Sequence, residues 1–236
     1  MTTSGTQSFN LDLSNLIEEA FERCGAELRT GYDMRTARRS LNLMTIEWAN
    51  RGINLWTIEQ GSIPMVQGQI TYDLPVDTID LLDSVIRTQT GVEQTDINIS
   101  RISVSTYATI PNKNAQGRPI QVWIDRQSGA TEPTTGINYP TINVWPAPDQ
   151  NNFYTYVYWR LKRIQDAGNG VNTQDIPFRM LPCMVAGLAY YLAMKIPDAL
   201  PRLEMLKMSY EEQWLLASTE DREKASLRLA PRELFY

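Results

Sequence analysis

The hydrophobic period changes twice along this chain, and that change limits its fold more than any other feature. Leu13, Leu16, Ile17, Ala20, Phe21 and Cys24 form one apolar stripe, and Met34, Ala37, Leu41, Met44 and Trp48 form a second. Steps of three and four residues place such positions on a single helix face. From Ile53 to about Gln165 the period becomes two, most plainly in FYTYVYWRLKR at 153–163. Alternation of that kind, rich in aromatics, is the pattern of a strand. Helical spacing returns at Leu181, Val185, Leu188, Ala189 and Leu192, and again at Leu203, Leu206, Tyr210 and Ala217. The expected class is α+β, with helices at both ends and a sheet region between them.

Local chemistry supplies the boundaries. Asp12 can cap a helix over 13–24, with Leu11 and Leu16 placed as a hydrophobic staple. A second helix over 34–50 stops at Asn50-Arg51-Gly52, because glycine tolerates the left-handed conformation of a helix end. Pro182 suits the first turn of a helix over 182–196, and Pro197-Asp198 ends it. A fourth helix is expected over 201–222. The helices pair as an N-terminal hairpin (1–52) and a C-terminal hairpin (173–222), which pack together as a four-helix unit. An antiparallel β domain (53–165) is inserted between them, Asp166–Asn172 is a linker, and an extended tail (223–236) follows. Strands are expected at Leu55–Ile63, Gln69–Leu74, Leu81–Thr88, Pro119–Arg126, Thr141–Trp145 and Phe153–Arg163, with a short helix in Ser100–Thr109.

Composition removes several kinds of chemistry. The chain has no histidine, which excludes Ser-His-Asp and Cys-His nucleophile pairs and His-ligated zinc. Its two cysteines, Cys24 and Cys183, are too few for a thiolate zinc site, and each falls in an apolar stripe as a small hydrophobe would. Neither a GxxxxGK[ST] nor a GxGxxG phosphate loop occurs. No cofactor or metal is expected. The N-terminus MTTSGTQSFNLD has no basic and apolar leader, and the apolar stretch Met184–Ile196 is too short for a bilayer. The net charge of −5 opposes tight DNA binding but not passage of DNA along a mildly negative wall.

Four groups of residues stand out. Asp73, Asp77, Asp80 and Asp83 could hold a hard cation, but their spacing is not that of an EF-hand, and a solvated turn is the plainer reading. Arg35, Arg38 and Arg39 are candidates for subunit contact, ahead of DNA contact. Trp48, Trp123, Trp145 and Trp159 fit a core or an interface better than a base-stacking platform, which interleaves basic residues as only Trp159-Arg160-Leu161-Lys162-Arg163 begins to do. The tail carries Leu227, Leu229, Leu234, Phe235 and Tyr236 among Arg222, Lys224, Arg228 and Arg232, and includes Pro231. Large apolar groups are unusual in a free tail, so it is expected to order on a partner.

Three segments, in order, carry a resemblance: NRGINLW with IPMVQGQITYDLP (50–75), PFRMLPCMVAGLAYYLAMKIPD (177–198) and EDREKASLRLAP (220–231). Together they resemble the head-to-tail adaptor, or connector, proteins of short-tailed bacteriophages, the tail tubular protein A-like family. The resemblance implies a structural virion protein at the head–tail junction, made in the bacterial cytoplasm. It implies a homo-oligomeric ring of about twelve copies that joins the portal to the tail nozzle and continues the DNA channel. In that family the C-terminal segment docks on the portal, and DREKASLRLAP carries the role to residues 221–231. Two other readings remain open from the residues: a carboxylate-dependent hydrolase, for which no carboxylate pair stands out, and a stand-alone soluble binding module.

Overall fold

The computed structural model describes residues 4–6, 9–52, 55–89, 91–126 and 139–221. The chain divides into two compact units, one combining the residues up to Trp56 with those from Ile164 onward, the other running from Thr57 to Arg163. Among the described residues, five α-helices and two four-stranded sheets make the fold α+β. The tail positions Arg222, Lys224, Leu227, Arg228, Leu229, Pro231, Leu234, Phe235 and Tyr236 lie outside the described residues.

In the helical unit, α1 spans Leu13–Cys24 and α2 spans Gly31–Arg51. Asp12 caps α1, its carboxylate accepting from the Asn15 N–H at 2.8 Å. Helix α2 starts a turn before its apolar stripe does, because Thr30 and Asp33 form a reciprocal capping box. The hydrogen bond from the Thr30 hydroxyl, aided by backbone N–H groups, holds the Asp33 carboxyl below its ordinary pKa. Gly25 and Gly52 close the two helices at φ 77° and 84°, a region that costs glycine little.

Among the remaining helices, α3 is Val104–Ala108 in the β unit, α4 is Leu181–Ala193 and α5 is Leu203–Glu220. Ten of the thirteen residues of α4 are buried, as befits a helix that is apolar on every side. Helices α1, α2 and α5 each pack on α4. Their shared core includes Leu16, Phe21, Leu41, Met44, Trp48, Met184, Leu188, Leu206 and Tyr210. Gly187 makes the closest approach possible: a Cβ there would sit 2.4 Å from Met44 Sδ and 2.7 Å from the Tyr210 ring. The segment Pro197–Arg202 between α4 and α5 is a 3-10 helix, an arrangement that its two prolines favour.

In the β unit, β1 is Ile58–Pro64, β2 Thr71–Asp73, β3 Thr78–Thr88 and β4 Thr95–Asn98. Strands β5 (Ser100–Arg101), β6 (Gln121–Asp125), β7 (Thr141–Trp145) and β8 (Tyr154–Lys162) complete it. The sheet orders are β1-β8-β3-β4 and β2-β7-β6-β5. Every pairing is antiparallel except β5 with β6, so the region is mixed rather than wholly antiparallel. The connection from β5 to β6 runs through α3, and a crossover of that length permits a parallel pair. Leu55–Thr57 is a 3-10 turn instead of the start of a strand. Strand β3 begins three residues before its expected position, and register shifts at Thr78/Asp80 and Leu81/Asp83 break the alternation that would reveal it. Along β8, alternate residues Tyr154, Tyr156 and Tyr158 are buried against Met65, Tyr72, Ile86, Ile142 and Val144.

Candidate functional site

Each described motif segment has a structural task. In NRGINLW, Arg51 closes α2 against α5: its guanidinium lies 4.7 Å from the Trp214 ring centre and hydrogen-bonds Glu211 at 3.3 Å. It also pairs with Glu47 one turn back, and Glu47 accepts from the Tyr191 hydroxyl of α4. Trp48 Nε1 donates to the Tyr210 hydroxyl at 3.0 Å, a buried polar link between α2 and α5. Trp56 Nε1 donates to the Asp175 carbonyl at 3.1 Å. In IPMVQGQITYDLP, the Tyr72 hydroxyl accepts from the Val66 N–H at 3.0 Å and so pins the turn around Gly68. In the third segment Asp221, the last described residue, has a side chain only 1% exposed. Its carboxylate accepts from the Leu55 N–H at 3.3 Å and lies 3.6 Å from the Arg179 guanidinium.

The four aspartates do not converge on a cation. Asp77 pairs with Arg160 at 2.6 Å, while Asp80 pairs with Arg101 at 3.0 Å and Arg126 at 3.2 Å. Asp83 accepts from the Ser84 N–H at 2.8 Å, and Asp73 sits exposed on β2. No group of three potential metal-ligating side chains comes together among the described residues. Arg160 continues the buried tyrosine row of β8 and is 7% exposed, with Glu59 at 2.7 Å and the Thr78 hydroxyl at 3.0 Å as further partners. Burial opposes ionisation of Asp77, but the hydrogen bond and charge of Arg160 outweigh it and hold that carboxyl below its ordinary pKa.

Arg35 and Arg39 are exposed on α2, whereas Arg38 is half-buried and donates to the Ala167 carbonyl at 3.2 Å. A groove of about 690 Å³ opens beside α1 and the start of α4, lined by Phe9, Leu11, Phe178 and Val185 and by the charged Glu18, Glu22 and Arg179. Its other charged pair, Glu19 and Arg23, is joined at 2.9 Å. That lining suits an apolar side chain and offers no nucleophile with an adjacent base. Cys24 and Cys183 are free thiols in the core, and Cys24 Sγ lies 3.1 Å from the Ala189 carbonyl. Burial pushes their pKa values up, to about 11 and about 12. Trp48 lies in the helical core and Trp123 stacks on Tyr107 at 5.2 Å.

Sequence reasoning missed the roles of Arg160, Glu47 and Tyr191. Arg160 carries no signal because its strand position reads as the outer end of an alternating run, and its partners Asp77 and Glu59 come from β1 and the turn before β3. No helix of the described residues is long and apolar enough to cross a membrane. No curated protein matches the chain. A family model described as SU10 adaptor protein matches residues 11–232, which takes in all three motif segments. The chain therefore belongs to the SU10 adaptor family, a family of structural phage head–tail adaptors.

Proposed function

We propose that this protein forms a ring of about twelve copies at the head–tail junction, where it joins the portal to the tail nozzle and continues the DNA channel. The observation that carries the reading is the family match, which runs unbroken from residue 11 through the motif segments to residue 232. The helical unit acts as one four-helix body made of the two terminal hairpins, and the segment after Asp221 is the portal anchor. Arg222, Lys224, Leu227, Arg228, Leu229, Pro231, Leu234, Phe235 and Tyr236 make that contact. The protein acts without catalysis, in the virion, after synthesis in the bacterial cytoplasm. What favours the anchor is its chemistry: leucines and a phenylalanine interleaved with arginines can bury apolar surface while their charges stay at a wet rim.

Docking Leu227, Leu229 and Phe235 contributes roughly 1.5–3 kcal/mol each, against an ordering cost of roughly 1–2 kcal/mol per residue fixed. One tail binds weakly, and a ring of tethered tails binds well because each contact raises the effective concentration of the next. Deletion of residues 224–236 leaves the subunit folded and unable to join portal rings. Electron microscopy of purified portal mixed with either form reads the outcome, and normal occupancy by the truncated chain rules out the anchor.

A further inference from the structure

Among the described residues, two helix faces in the helical unit have no partner, and their chemistry is complementary. On α2, Tyr32, Arg35, Arg39, Leu43 and Ile46 recur at steps of three and four on the side away from its buried stripe. Tyr32 is 66% exposed, Leu43 53% and Ile46 47%. Neither Arg35 nor Arg39 has an ion pair among the described residues, and the neighbouring Lys195 ammonium adds to the positive charge beside Arg39. On α5, Glu204, Met205, Met208, Glu212, Leu215 and Leu216 share the side opposite Leu206, Tyr210 and Ala217. The two methionines and two leucines there are 59–74% exposed. Glu204 and Glu212 also lack an ion pair among the described residues, and no cation lies in this stripe.

We infer that the α2 face of one copy of this chain docks on the α5 face of the next copy. Each face is apolar enough to want cover and charged with one sign only, so like faces repel and unlike faces attract. A second copy is the occupant because one chain carries both halves. A contact between two different patches of identical subunits is heterologous, and it closes into a ring when the rotation allows. With the helices side by side in the same direction and Arg39 beside Glu212, Leu43 falls beside Leu216 and Arg35 beside Met208. The inference rests on the ring reading above and specifies which surfaces build it.

The test uses the full chain in two charge-reversed forms, Arg35→Glu/Arg39→Glu and Glu204→Arg/Glu212→Arg. All four positions are exposed, so both forms keep the wild-type circular dichroism spectrum and melting temperature. Sedimentation velocity at low salt is expected to show wild-type self-association, and each reversed form alone associates at least about tenfold more weakly. An equimolar mixture of the two regains assembly, because each basic face then meets an acidic one. Reversed forms that assemble like wild type, or a mixture that does not recover, overturn the interface while the adaptor reading stands. A wild-type chain that stays monomeric at low salt and high concentration also overturns it. Failure to bind a portal ring is a separate outcome and counts against the adaptor reading itself.

Discussion

At the scale of single residues, charge burial and thiol burial make the clearest demands. Arg160 is the hub of a polar cluster that ends the tyrosine row of β8. Removing it strands Asp77, Glu59 and the Thr78 hydroxyl, whereas removing either carboxylate leaves the guanidinium with the other. Arg160→Ala is therefore expected to cost about 2–3 kcal/mol, more than Asp77→Asn or Glu59→Gln, whose acids are half-exposed. Urea titrations of the three variants give the order, and an Asp77→Asn cost equal to that of Arg160→Ala contradicts the hub. The buried thiols contribute to the alkaline limit, beside Tyr156, Tyr191 and Tyr210, whose pKa values burial also raises. Above the ordinary thiol value of 9.0 the unfolded chain loses its thiol protons, while the folded chain keeps them until about 11 at Cys24 and about 12 at Cys183. The unfolded state then binds fewer protons, so stability is full below pH 9 and falls across that window. Cys183→Ala is expected to flatten the fall, measured as unfolding free energy at pH 8.5 against pH 10.5. The buried thiols were legible in the sequence because each cysteine completes a helical stripe. The Arg160 hub was not, since its partners come from segments distant in the chain.

At the scale of elements, what could be read is what depends on local periodicity. Helix α1 takes its bounds from its stripe and its cap, Leu13–Cys24. Strand β7 falls where alternation is unbroken, and β8 where aromatic residues recur at every second position from Tyr154 to Tyr158. Two short strands, β4 and β5, escaped because four and two residues are too few for a period to register, and most of those residues are exposed on both sides. The role of α4 was also hidden. Its uniform apolarity says that it is buried but not that three other helices share it. Gly187 expresses that sharing. Alanine there gains roughly 1 kcal/mol of helix propensity, yet its Cβ would collide with Met44 and Tyr210 on α2 and α5. Gly187→Ala is expected to destabilise by about 2 kcal/mol net, with a lowered melting temperature. A neutral or stabilising result means that α2 and α5 can retreat from α4 without loss.

At the scale of the whole molecule, the proposed channel role requires that the protein not hold the DNA that passes it. The chain carries 22 lysines and arginines against 27 aspartates and glutamates. Many of its arginines already have acids beside them: Arg23, Arg29, Arg51, Arg87, Arg101, Arg126 and Arg160 all sit in ion pairs. Tight non-specific binding to duplex DNA releases several counterions through several basic contacts, and an acidic chain with these seven arginines engaged is poorly placed to supply them. A duplex is expected to bind with a Kd weaker than about 1 μM at physiological salt and with a shallow salt slope. Arg35 and Arg39 provide the internal control. If they touch phosphate, Arg35→Glu/Arg39→Glu reduces the salt slope by about one per contact. If they lie between copies, the same change alters assembly and leaves the weak DNA signal of the unassembled chain where it was. Fluorescence anisotropy with a labelled duplex across a salt series separates the two, and submicromolar binding with a steep slope refutes the passive channel.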